Sequence, residues 1–394
     1  MKNEVLYISS LCSDRVSEIV FKTSLENSGL GTQKFHKLIV TGLVAQNINN
    51  VKLLVSLPIT QKINKRKFWI LKNEKDFNAN ISYITTINLP AIKNVIDFFY
   101  SFFTILFWSS SKENKKYIIV DVLKLSPVLG AFIASKIRNI KIIAIVTDIP
   151  GIDVFKSTTK GKIKTFLIKS FLSKFDGYIL ITKFMNAIVN PKNKPCMVME
   201  GSVDFTMKKD NIVKKKTKNI VYTGALFERY GLEKLITAFL KINDADLRLH
   251  FYGEGPMVNN ILDYSRRDER IAYKGVLLNK DLVIVQLDAY LLVNPRPTNE
   301  ELCLYSFPGK NMEYMVSGTP TLTTKLQGMP NSYLPHVFLI EDETINGIKK
   351  SIETILLLPD SKLKKMGSNA KKFVLENKNN FIQAERITQF LNKI

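Results

Sequence analysis

The chain of 394 residues holds only three cysteines and three histidines. Cys12, Cys196 and Cys303 lie far apart and follow no ligand spacing, so neither a metal knuckle nor an even set of disulfides can be written. No metal and no cofactor are expected, and a reducing compartment fits. Long apolar runs are missing as well. The longest, VIDFFYSFFTILFW at 95–108, has fourteen residues with Asp97 inside it, against the roughly 20 that cross a bilayer; core packing is its expected use, with a lipid-facing helix as the alternative. The opening MKNEVLYISSLCSDRV contains a four-residue apolar run, which reads as a β-strand and not as an export signal. A cytoplasmic location is expected, peripheral on the inner face of the plasma membrane if a basic helix binds lipid.

Acidic residues are scarce: 35 Asp and Glu face 57 Lys and Arg, a formal charge of +22. Such an excess attracts something anionic, whether nucleic acid, phosphorylated small molecules or acidic lipid. Helix-turn-helix, zinc and aromatic-strand signatures are all lacking, so nucleic acid is not the expected partner.

What is present is alternation. Short β-branched or aromatic runs at 5–9, 52–57, 117–120, 141–146 and 177–182 are separated by segments of helical period. At 204–219, DFTMKKDNIVKKKTKN carries six lysines and no period and reads as an exposed linker. A second set follows, with strands at 220–223, 247–252, 284–293 and 319–323 and helices at 232–240 and 310–316. This is α/β architecture in two domains, 1–203 and 220–377, each a mostly parallel sheet with both faces covered. Between 154 and 175 six lysines and no acid accompany Ile163, Phe166, Leu167 and Phe171 at helical spacing. A basic amphipathic helix results, either packed on its own sheet or lying on anionic lipid.

Open α/β sheets bind ligands beyond the carboxyl ends of their strands. In the second half those positions read GALFERYG, with Gly224 and Arg229; GEGP, with Gly253 and Gly255; and NPRPTNEELCLYSFPGK. Each joins a place for close backbone approach to a donor or a charge, as a phosphate cradle requires. In SFPGKNMEYMVSGTPTL, Pro308 suits a first helical turn, Gly309 leaves free amides accessible, and Lys310 sits where the helix dipole disfavours a cation by roughly 0.3–1 kcal/mol. A bound diphosphate reverses that balance, since a charged hydrogen bond contributes about 1.5–3 kcal/mol. Met312, Met315 and Val316 form the core side, leaving Glu313 at the edge, where a carboxylate can accept from two hydroxyls. Gly318 ends the helix.

The segment SFPGKNMEYMVSGTPTLTT resembles the second-domain signature of GT-B glycosyltransferases, of the retaining family-four type that builds capsule, exopolysaccharide and lipopolysaccharide. VLYISSL, TDIPG, ILITKFM, MEGSVD, YTGALFERYGLEKLITAF, LHFYGEGP, YKGVL and NPRP follow in the family's order. The resemblance implies two Rossmann-like domains facing across a cleft, with residues 378–394 returning to the first. It implies a nucleotide-sugar donor bound by the second domain, with Glu313 on the ribose, Lys310 and Arg229 on the diphosphate, and Gly224, Gly253, Gly255, Ser306, Pro308 and Gly309 lining the pocket. Two positions depart from the pattern. Tyr305 stands where relatives carry a sugar-gripping glutamate, which leaves Glu300 or Glu301 for that task, and Ala225 replaces a strand-end arginine.

A hexosyltransferase of this type is expected to position an acceptor hydroxyl beside the leaving diphosphate, with Lys310 and Arg229 meeting its charge. In the first domain Asp121, Asp148 and the glycines of NSGLGTQKF, Gly29 and Gly31, are the candidate contacts for a saccharide or lipid-diphosphate-saccharide acceptor; a turn or cap role explains the aspartates equally. A nucleotide-sugar epimerase and a polyanion-binding protein without turnover are the competing readings.

Overall fold

A computed structural model describes residues 3–25, 30–46, 49–108, 114–150, 159–208, 218–299 and 303–394. The chain forms two compact units, Met1–Ser202 with Asn380–Ile394, and Val203–Asn379.

The sheet of the first unit runs in the order Cys196–Val198, Gly177–Leu180, Lys141–Val146, Lys115–Asp121, Asn3–Ser9, Asn49–Val55, Ala79–Tyr83 and Glu74–Asp76. All neighbours are parallel except the last pair. Central strands such as KIIAIV are buried on both faces, which is why they read as unbroken apolar runs and not as alternation. The chain order reverses between Asn3–Ser9 and Lys115–Asp121, the switch point of a doubly wound sheet.

The closing helix, Asn380–Lys393, buries Ala384, Ile387 and Leu391 in the core of this first unit. It lies so close to the helix Leu30–Ala45 that a Cβ on Gly42 would sit 2.1 Å from the Asn380 carbonyl. Gln383 Nε2 donates to the Gly201 carbonyl at 2.8 Å, and Arg386 donates to that of Val198 at 2.9 Å.

The second unit holds six parallel strands in the order Ile271–Tyr273, Leu247–Tyr252, Lys218–Thr223, Leu291–Asn294, Thr321–Thr324 and Phe338–Ile340. Counted along the chain this is 3-2-1-4-5-6, the dinucleotide-fold order, with its switch point between Lys218–Thr223 and Leu291–Asn294. Phe239, Phe251, Ile261 and Ile352 fill its core.

Several sequence expectations are corrected. The run 284–293 is not one strand: Asn279–Asp288 is a helix that ends before the strand Leu291–Asn294. Its β-branched residues give no helical signal, and what holds Gln286 inside is a bond from its Nε2 to Thr223 Oγ1 at 3.2 Å. The segment 204–219 is not linker throughout, because a 3₁₀ turn covers Phe205–Lys208 and the strand already begins at Lys218.

Nor is 95–108 core. The helix Pro90–Leu106 buries Asp97, Ser101 and Ile105 and leaves Val95, Phe99, Phe103 and Phe107 about half or more exposed. Its neighbour Leu125–Ile137 approaches so tightly that a Cβ on Gly130 would meet the Phe98 carbonyl at 2.2 Å, so small and polar groups make this contact and the aromatic stripe stays outside. The basic segment forms a helix over Thr159–Leu172, seated by Ile168 and Leu172, with Ile163, Phe166 and Leu167 exposed.

Candidate active site

At the switch point of the second unit, the loops after three strands interlock through glycines. Gly224 (φ 125°), Gly253 (φ 135°) and Gly255 (φ 155°) all hold backbone that L side chains rarely adopt. A Cβ on Gly253 would lie 2.0 Å from the Gly224 carbonyl, and one on Gly255 would lie 2.3 Å from that of Leu226. These two glycines are therefore set by loop-to-loop packing, which shapes the floor of the site. Gly231 does the same on the other side, where its Cβ would meet Pro295 O at 2.2 Å.

The helix Gly309–Ser317 brings in the charged groups and is pinned from three strands. Tyr314 accepts from the Thr223 amide at 2.8 Å; Asn294 Nδ2 donates to Asn311 Oδ1 at 2.8 Å; Asn311 Nδ2 donates to Thr323 Oγ1 at 3.3 Å. Met312, Met315 and Val316 are buried beneath it, and Gly318 closes it at φ 74°. Pro308 is its N-cap and not a residue of the first turn, so the helix begins at Gly309. Gly309 is exposed, with nothing within 4 Å of a would-be Cβ. Ser306 is half-buried in the preceding loop, and Phe307 packs on Tyr333 with ring centroids 5.1 Å apart.

Lys310 turns inward. Its Nζ donates to the Tyr222 hydroxyl at 2.5 Å and lies 3.9 Å from that ring's centroid, while Tyr222 donates onward to the Ala225 carbonyl at 2.8 Å. A Cβ on Gly224 would come within 2.9 Å of the same Nζ, so that glycine makes room for the ammonium. Burial, then the nearby Arg296 guanidinium, pulls the lysine pKa down to about 7, against the opposing field of Glu313. Burial raises Tyr222 well above its usual value, so its hydroxyl keeps its proton. Glu313 is half-buried one turn further along the helix.

The structure thus brings together Gly224, Gly253, Gly255, Gly309, Lys310 and Glu313. Arg229 stands on the exposed side of the 3₁₀ turn Glu228–Tyr230, its guanidinium 5.3 Å from the Phe227 ring centroid and 5.5 Å from that of Tyr230. Glu300, Glu301 and Gly29 lie outside the described residues. Sequence reasoning missed Arg296, whose field reaches Lys310. The signal was the arginine between two prolines immediately after a strand, in NPRP.

In the first unit Asp121 is not available to an acceptor. At the switch point it is buried, with its Oδ2 3.2 Å from His36 Nε2, and His36 Nδ1 is 2.6 Å from the Tyr7 hydroxyl. This chain of three ties the helix Leu30–Ala45 to two strands, so Asp121 is a structural carboxylate, held below its usual range against burial mainly by the His36 contact. Asp148 is exposed and its Oδ1 accepts from the Ile149 amide at 2.9 Å; Gly31 is exposed in the first turn of Leu30–Ala45. At the same carboxyl edge the Lys93 ammonium donates to the Leu57 and Ile59 carbonyls at 2.8 and 2.7 Å, and burial lowers its pKa to about 8.

Residues 203–373 match the family model described as Glycosyl transferases group 1. The match lies within the second unit and spans most of it. A search of curated proteins by sequence finds no match. Among solved structures, sucrose-phosphate synthase from Thermosynechococcus elongatus is similar at 13% identity and a TM-score of 0.69, with 99% of each chain covered. A glycosyltransferase from Rickettsia africae shows 12% identity and 0.66 over 99% of this chain and 98% of that one. HepE of Anabaena, solved in complex with UDP-glucose, shows 12% and 0.65 over 99% and 100%. Such identities speak for the fold, which is GT-B along the full chain. The matched domain on this fold supports glycosyl transfer as the chain's activity.

The lowered pKa has a thermodynamic consequence for anion binding. At pH 8 Lys310 is mostly neutral, and a diphosphate beside it favours the charged form, so binding takes up a proton. Calorimetry of UDP binding in buffers of different ionisation enthalpy should show an uptake approaching one proton at pH 8 that fades below pH 6. Affinity should fall as pH rises above 7. Lys310→Arg, which stays charged, should abolish the uptake; an uptake unchanged in that variant contradicts the assignment.

Proposed function

We propose that this glycosyltransferase moves a sugar from a nucleotide-sugar donor to a saccharide acceptor, lipid-diphosphate-linked, with retention of anomeric configuration, in the biosynthesis of a cell-surface polysaccharide. The observation that carries the donor site is Lys310, an enclosed ammonium held against Gly224 at the switch point beside the tip of Gly309–Ser317, with Glu313 one turn on. A diphosphate fits the ammonium and the free amides of the tip, and a ribose diol fits the Glu313 carboxylate.

In the proposed step the acceptor oxygen bonds to the anomeric carbon as the bond from that carbon to the diphosphate oxygen breaks. The bonding pair leaves with the diphosphate, which also takes the acceptor's proton. Lys310 and the helix amides stabilise the charge that develops on the leaving group. Neither a metal ion nor a cofactor is assigned a part. Asp148 and Gly31 remain the acceptor candidates of the first unit, and Glu300 and Glu301 the candidates for holding the sugar. Solved HepE complexes contain UDP and UDP-glucose, which places UDP-sugars first among donors to try.

An anionic membrane surface is the proposed location of the acceptor. Val95, Phe99, Phe103 and Phe107 line one exposed helix face, and Ile163, Phe166 and Leu167 stand out from a helix whose sequence carries four lysines and no acid. Apolar side chains beside cations suit the boundary between headgroups and acyl chains. Among the described residues no helix is long and apolar enough to cross a membrane.

Two experiments test the reading. Lys310→Ala and Glu313→Ala should each fold and lose donor turnover by roughly one to three decades, the scale of a lost charged contact; turnover of UDP-, GDP- and ADP-sugars at wild-type rates in both variants contradicts it. Phe103→Ser combined with Phe107→Ser should reduce sedimentation with phosphatidylglycerol vesicles about tenfold or more. Equal binding by variant and wild type removes the membrane assignment.

A further inference from the structure

A nucleoside diphosphate brings more than one negative charge, and Lys310 supplies one positive one. Ala225 offers none, and Arg229 points to the exposed side. Among the described residues a further, less exposed cation at this edge is Arg296, two residues past the strand Leu291–Asn294, which borders the switch point.

Its backbone is fixed from several directions. Pro295 and Pro297 restrict the chain on either side, and Gly231 packs under the Pro295 carbonyl. Thr324 Oγ1 donates to Arg296 O at 2.5 Å, and Cys303 Sγ to the Pro297 carbonyl at 3.0 Å. Thr298 is held by Glu343, with 2.6 Å between its Oγ1 and the nearer carboxylate oxygen.

The side chain is left with less. Its Nε is buried with no hydrogen-bond partner, although a buried donor of that kind costs about 1–3 kcal/mol or more. Its guanidinium lies 5.2 Å from the centroid of the Tyr230 ring, and Lys310 Nζ lies 5.6 Å from the same centroid. Among the described residues neither cation makes a salt bridge. Arg229, 5.5 Å from the same centroid, is a third cation at this ring but is exposed to solvent. The loop therefore holds Arg296 and Lys310, the two less exposed cations, around one ring with an unsatisfied N–H, an arrangement that like-charge repulsion disfavours until an anion is present.

We infer that Arg296 is the second diphosphate-binding cation, its guanidinium and the Lys310 ammonium bracketing the two phosphoryl groups across the face of Tyr230. The inference rests on the reading of this switch point as the donor site. Tyr230 orients both cations, and Arg229 stays outside the anion's immediate shell. A planar fork with several donors suits a diphosphate better than a second lysine would.

Calorimetric titration with inorganic pyrophosphate tests this on the full chain, because it reads the anion site without the base or the sugar. Arg296→Gln should weaken pyrophosphate binding about 10- to 100-fold, the equivalent of a lost charged hydrogen bond. The loss should exceed that of Arg229→Gln, and Arg296→Lys should recover part of it; melting curves establish that each variant is folded. If Arg296→Gln binds as wild type does while Lys310→Ala does not bind, Arg296 has no such role and the donor site stands. If Lys310→Ala also binds as wild type does, or if wild type fails to bind pyrophosphate, the donor-site reading falls and this inference with it.

Discussion

A lysine ammonium drawn out of water onto a tyrosine hydroxyl is the interaction on which the second unit's site depends. Lys310 reaches Tyr222 only because Gly224 lacks a Cβ, and Gly224 has its shape because Gly253 and Gly255 let two further loops close on it. Desolvating a cation costs several kcal/mol, and a fold at equilibrium carries that cost only where something offsets it. Here the hydroxyl, the ring face and Glu313 offset part. Loss of the proton relieves part of the remainder, and in the proposed function an anionic ligand offsets the rest.

Rigidity supports this chemistry. The short helix Gly309–Ser317 would be marginal alone, yet most of its positions are buried. Asn311 and Tyr314 fasten it to the ends of three strands, Met312 and Met315 fill the core, and Gly367 lets the helix Asp360–Asn377 approach Gly318 so closely that a Cβ there would sit 2.0 Å from its carbonyl. In the proposed function, positioning of this kind lets fixed cations act on a developing charge without reorganising as the reaction proceeds. The helix tip and the charge are placed by the same packing.

How much of this was legible in the sequence differs between elements. KIIAIV and LRLHFY declared themselves because local preference and burial agree, and both strands run over the residues expected, 141–146 and 247–252. Helix 232–240 was equally plain, and Lys310 stood out because its charge contradicts the local dipole. Residues 284–288 misled because Ile and Val favour strands while tertiary bonds through Gln286 fix a helix. The exposed Phe99, Phe103 and Phe107 misled for a different reason: hydrophobicity says that a face wants cover, not what covers it. Asp121 followed a sound rule about strand ends, and only the fold shows His36 already there to meet it. Arg296 was visible in NPRP, but its meaning needs a distance to Tyr230 that no spacing in the chain supplies.

The most direct test of the central claim is a crystal structure with a nucleoside diphosphate bound. The account predicts phosphate oxygens within hydrogen-bonding distance of Lys310 Nζ and of the backbone amides at the start of Gly309–Ser317. A diphosphate bound elsewhere, with Lys310 still facing only Tyr222, would contradict it.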